Sequence, residues 1–89
     1  MNNNEDIKEI YKRASERLKL FRKYRGLTQE QLSENSTFSR GLIGNIESIK
    51  TEQTFSLAVL YYFALKLDIP IELFVKENID KELKDLGIK

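Results

Sequence analysis

From Ser39 to Glu47 the chain reads Ser-Arg-Gly-Leu-Ile-Gly-Asn-Ile-Glu, and these residue types suit reading a surface better than transforming a molecule. If residues 40–47 are helical, Ile43 and Ile46 point to a core, which turns Arg40, Gly41, Gly44 and Asn45 to the opposite side. In a DNA major groove an arginine pairs bidentately with guanine and an asparagine with adenine. Leu42, beside that surface, is of the type that meets a thymine methyl. Gly41 and Gly44 each cost the helix about 1 kcal/mol relative to alanine. That cost is tolerable where the backbone must approach a duplex closely, and a weak, mobile helix is the alternative. For Arg40 and Asn45 the alternative is ordinary exposed polar residues.

Catalytic chemistry has little to work with. The chain has no histidine and no cysteine. The commonest general base, the commonest metal ligand, thiolate sites and disulfides are therefore absent. Asp80 and Glu82 form a carboxylate pair, but alternating lysines around them suit a solvated helix face. The aromatic cluster Phe55, Tyr61, Tyr62 and Phe63 fits core and dimer contact better than a ligand box, and no serine sits in a strained nucleophile turn. The expectation is a non-enzyme with no catalytic residues, no metal and no cofactor.

Eighty-nine residues suit one domain, with 40 % hydrophobic and 33 % charged side chains. No apolar run reaches the ~18 residues of a membrane span, and residues 1–6 lack the order of a signal peptide, so a cytoplasmic protein is expected. The net charge of +1 hides an asymmetry: residues 1–26 carry eight basic against four acidic side chains. A basic first helix beside a near-neutral body is compatible with polyanion binding. On charge alone a solvated helix face is the better account.

These residues must be positioned by helices. Ile7, Ile10, Tyr11, Ala14, Leu18, Phe21 and Tyr24 recur at steps of three and four, which predicts a long first helix closed by Arg25-Gly26. Thr28-Gln29-Glu30-Gln31 has the capping-box form, so a short second helix starts at Gln29, buries Leu32 and lasts to about Glu34. Asn35-Ser36-Thr37 is turn-like, Phe38 is an apolar plug, and Ser39 caps a third helix over 40–47. A polar connector at 48–54 precedes an apolar helix over 55–67. Asp68-Ile69-Pro70 breaks it, and Pro70 opens a fifth helix whose pattern continues through Phe74, Val75, Ile79, Leu83 and Leu86. Nothing alternates with period two. The fold is expected to be all-α.

Residues 16–75 resemble the Cro/phage-repressor type helix-turn-helix family, also called the xenobiotic response element family. The resemblance rests on Leu18, Phe21 and Arg22, on Gly26-Leu27-Thr28-Gln29-Glu30-Gln31-Leu32, on Ser39, Ile43, Ile46 and Glu47, and on Ala64, Leu67, Ile69 and the Phe74 region. It implies a five-helix, lambda-repressor-like DNA-binding domain over 1–89, with the helix-turn-helix at about 28–47 and a helical C-terminal extension at 76–89. Ser33, Thr37 and Ile49 depart from the family pattern, Thr37 standing where a turn glycine is usual. If that position requires positive φ, threonine is strained there.

The resemblance also assigns roles. The implied DNA-binding set is Thr28, Gln29, Ser39, Arg40, Gly41, Leu42, Asn45, Lys50 and Thr51. Gln29 stands where the family commonly bonds phosphate or a base-reading side chain, and free amides at a helix start favour phosphate in any case. Lys50 and Thr51 are candidate backbone contacts. Arg17, Lys19, Lys23 and Arg25 are candidates for phosphate, whereas Arg22 and Glu47 occupy the family's structural ion-pair positions. The implied partner is a double-stranded, pseudo-palindromic DNA operator read by a homodimer, in a repressor or restriction–modification controller. The surplus apolar residues Ile71, Phe74, Val75 and Ile79 are the expected dimer interface, with Leu83 and Leu86 folding back onto the first helix. The alternatives are an antitoxin with a small protein partner, or a protein-interaction module that leaves DNA alone.

Overall fold

The computed structural model describes residues 3–48 and 54–88, and within them the chain is helical without strands. Helix α1 spans Asn3–Tyr24, α2 Gln29–Ser33, α3 Arg40–Glu47, α4 Leu57–Leu67, α5 Glu72–Val75 and α6 Asp80–Asp85. The core is assembled from one stripe of each larger helix. Leu18, Phe21, Leu32, Ile43, Phe63 and Phe74 are fully buried together. The rings of Phe21 and Phe74 meet edge-on at 5.1 Å, fastening α5 to α1.

Helix boundaries follow local chemistry. Gly26 ends α1 in the left-handed conformation (φ 73°), and the Leu27 amide reaches back to the Arg22 carbonyl at 3.1 Å. Thr28 caps α2 reciprocally: its hydroxyl accepts from the Gln31 amide at 3.0 Å, and its own amide donates to Gln31 Oε1 at 2.8 Å. Ser39 and Ser56 cap α3 and α4 through their hydroxyls.

The α2–α3 connection, residues 34–39, starts one residue before the expected end of the second helix near Glu34. Its left-handed residue is Asn35 (φ 58°), a type that tolerates the conformation, so Thr37 is spared the strain a glycine substitute would meet. Phe38 plugs the turn, half-buried, against the rings of Tyr62 and Phe63.

The C-terminal third departs from one continuing helix. Lys76–Ile79 interrupts it, because the Asn78 side chain accepts from the Asp80 amide at 3.0 Å and starts α6 afresh. The break turns Ile79 inward. Ile79 is 3 % exposed and Phe74 0 %, so both belong to this chain's own core and neither is available to a second copy, contrary to the interface expected from their spacing. Of that set only Ile71, half-buried, and Val75, 36 % exposed, reach the surface. Leu83, Leu86 and Ile88 lie half-buried against the core, while Ile7 and Ile10 on α1 remain exposed.

Candidate nucleic-acid interface

Helices α2 and α3 form a helix-turn-helix whose outward side is displayed by α3. Ile43, Ile46 and Glu47 are buried. A turn of 3.6 residues then places Gly41 and Asn45 diametrically outward, with Gly44 and Leu42 on the two flanks. Gly41 and Asn45 are exposed accordingly, Gly44 is half-buried, and Arg40 is exposed as the first residue of the helix, one turn before Ile43 and two turns before Glu47. Leu42 is drawn towards the body of the protein and packs on the core. Its expected role as an apolar base contact is therefore largely taken by packing. Thr28 and Ser39 are exposed, and both spend their hydroxyls on helix caps. Ile49, Lys50 and Thr51 lie outside the described residues.

Behind α3 sits a buried polar assembly that fixes its angle. Arg22 Nε donates to Glu47 Oε2 at 2.7 Å and Nη2 to Glu47 Oε1 at 2.9 Å, while Nη1 donates to the Leu27 carbonyl at 2.6 Å. The two side chains are nearly sealed from solvent, at 8 % and 3 %. A paired fork of this kind is strong and directional. Its hydrogen bond to Glu47 holds the Arg22 guanidinium above the ordinary arginine range despite burial. Gln29 joins as the third member: its Nε2 donates to Glu47 Oε1 at 3.2 Å. A carboxylate only accepts, so it faces the amide's nitrogen and leaves Gln29 Oε1 beside Gly44. The chain thus ties α1, α2 and α3 together through one carboxylate.

Part of the basic surface of α1 serves the fold instead of a ligand. Arg17 donates to the carbonyls of Leu73, Lys76 and Glu77 at 2.7–2.9 Å, and Arg13 to that of Val75 at 2.8 Å. Arg25 takes the carbonyls of Leu67 and Asp68 at 2.7 and 3.0 Å. These are the C-terminal ends of α5 and α4, where a cation complements the helix dipole. Partial burial, with the charge of Arg13 adding to it, lowers the Arg17 pKa below the usual arginine value. Arg17, half-buried, and Arg25, exposed, thus commit donors to these carbonyls, while Lys19 and Lys23 are exposed. Among the described residues no cluster of metal-binding side chains occurs. No helix among them is long and apolar enough to cross a membrane.

The sequence pattern missed the Gln29–Glu47 bond and the carbonyl clamps of Arg17 and Arg25. None has a local signature: the bonded residues stand 18 to 60 positions apart. It read Tyr61 among core and dimer contacts but did not single out the outer stripe of α4, where Leu57, Tyr61 and Leu65 are 73 %, 51 % and 62 % exposed at steps of four residues. Residues 55–67 are apolar nearly all round, so periodicity alone could not separate the inner from the outer face.

No family model matches the chain, and no solved structure matches it. A curated relative, control protein C.SmaI of Serratia marcescens, is 32 % identical over 77 residues, a span of 86 % of this chain and 87 % of that protein. The aligned length takes in most of the chain, so the similarity extends beyond any one motif. With a helix-turn-helix in place and that likeness along most of its length, the chain belongs to the family of control protein C.SmaI, helix-turn-helix regulators of transcription.

Proposed function

We propose that this protein is a restriction–modification controller that reads a pseudo-palindromic DNA operator as a homodimer, with α3 in the major groove. The observation that carries the reading is the outward side of α3. It presents Asn45, with exposed Arg40 at the helix start beside it, two side chains suited to base edges, on a helix held from behind by the buried Arg22–Glu47–Gln29 assembly. A reading helix needs such backing, because side chains must meet base edges in a fixed register. Similarity to a control protein supports the same direction.

One such helix spans few base pairs, so two copies are needed, and an isologous contact supplies the matching two-fold symmetry. The exposed Leu57–Tyr61–Leu65 stripe on α4 is the surface we assign to the second copy, extended by whatever Val75 and Ile71 contribute at the end of α5. Three large apolar side chains at four-residue steps make a continuous ridge, which a monomer in water has no use for. The reading is tested by titrating the protein against duplex DNA at several salt concentrations. Binding whose logarithm falls linearly with the logarithm of salt supports phosphate-anchored recognition. Absence of duplex binding at low salt contradicts it.

A further inference from the structure

Two of the eight residues of α3 are glycine, and the fold has no use for either. Neither Gly41 nor Gly44 has the positive φ that favours glycine, in contrast to Gly26 and Gly87. Neither is required by packing. A Cβ built on Gly41 meets only Ser39 Oγ at 3.6 Å, and one built on Gly44 only Gln29 Oε1 at 3.5 Å, both ordinary contact distances. Alanine fits at both positions and is the better helix former. The short helix is therefore weakened twice with no return inside the chain.

We infer that Gly41 and Gly44 form a close-approach slot in the reading side of α3, where the edge of a base pair sits directly against the helix backbone. This deepens the operator-reading role proposed for α3 and rests on it. The glycines lie one turn apart, Gly41 outward and Gly44 on the flank facing α2. Exposed Arg40 and Asn45 bracket them in sequence. One wall of the slot is the Gln29 side chain, whose Oε1 lies over Gly44 while its Nε2 is held by Glu47. Without two Cβ atoms the helix can enter the groove more deeply, bringing Asn45 and the Gln29 carbonyl within reach of base edges. An adenine or cytosine amino group is the donor that such a carbonyl acceptor takes.

The test is the pair of variants Gly41→Ala and Gly44→Ala, measured beside the parent protein on a selected operator and on an unrelated duplex. The slot predicts a melting temperature raised by about 5 °C in each variant. It predicts operator affinity lowered at least tenfold, with binding to unrelated duplex unchanged. Variants that are more stable and bind the operator like the parent overturn the slot. Variants that melt lower overturn it also, since the fold would then need the glycines. A parent protein that binds no duplex removes the operator-reading role itself, and that failure shows before any variant is made.

Discussion

At the scale of single residues, the site depends on one carboxylate. Glu47 accepts from Arg22 twice and from Gln29 once, in a pocket that admits almost no water. Removing it leaves a buried guanidinium unpaired, which costs about 3–5 kcal/mol. Glu47→Ala is thus expected to lower the melting temperature steeply, whereas Arg40→Ala leaves melting unchanged and acts only on DNA. For Arg40→Ala the expectation is about 1–3 kcal/mol lost at the operator and relaxed selection at one base position. Thermal denaturation with operator titration separates the two. A Glu47→Ala protein that melts like the parent contradicts the buried pair, and unchanged affinity and preference in Arg40→Ala contradict the reading side. Gly41 and Asn45 were legible because two buried isoleucines three apart determine which way their neighbours face, and Arg40 because it follows the Ser39 cap as the first residue of the helix. The partner of Gln29 was not, since a hydrogen bond between separate helices leaves no periodic trace in the chain.

At the scale of elements, helix ends account for much of the architecture. The stop at Gly26, the break over Asp68–Pro70 and the caps at Thr28 and Ser39 were readable from local rules, and α3 occupies the expected span. By contrast, α4 ends on left-handed Asp68 and α5 starts at Glu72, two residues after Pro70. The division into α5 and α6 was not readable, because the apolar spacing runs on through a break made by Asn78 and by carbonyls turned towards Arg17. Arg17 holds three such carbonyls from α1, a task for a planar fork of donors and not for a point charge. Arg17→Lys is accordingly expected to lose roughly 1–2 kcal/mol of stability, nearly as much as Arg17→Ala. A melting curve for Arg17→Lys that overlays the parent's contradicts the clamp. A second fastening of the same turn is the exposed pair of Lys76 and Glu82, 2.7 Å apart. Hydrogen bonding from Lys76 lowers the Glu82 pKa below the ordinary value of 4.5. The sign follows from that direction. The pair's small contribution is complete above pH 4.5 and is lost as the pH falls through the depressed folded value. Amide exchange in α6, compared between the parent and Glu82→Gln, should differ above that pH and converge in acid.

At the scale of the whole molecule, core and partner surface had to be told apart by three-dimensional packing. Phe74 and Ile79 have the same spacing as a docking stripe, yet the fold needs them inside, and it leaves Leu57, Tyr61 and Leu65 outside instead. A charge on that ridge should separate two copies without disturbing either. Tyr61→Asp and Leu65→Asp are expected to sediment as monomers with parental helicity and to lose operator affinity. Dimers that persist in both variants place the second copy on another surface.

The most direct measurement of operator reading by a symmetric pair of α3 helices is selection of binding sites from random-sequence duplex with the parent protein. The expected product is an enriched sequence with two-fold symmetry and half-sites about one helical turn, ~34 Å, apart, each with a guanine and an adenine for Arg40 and Asn45. A pool that gains no sequence preference, or one that converges on a single site without symmetry, contradicts it.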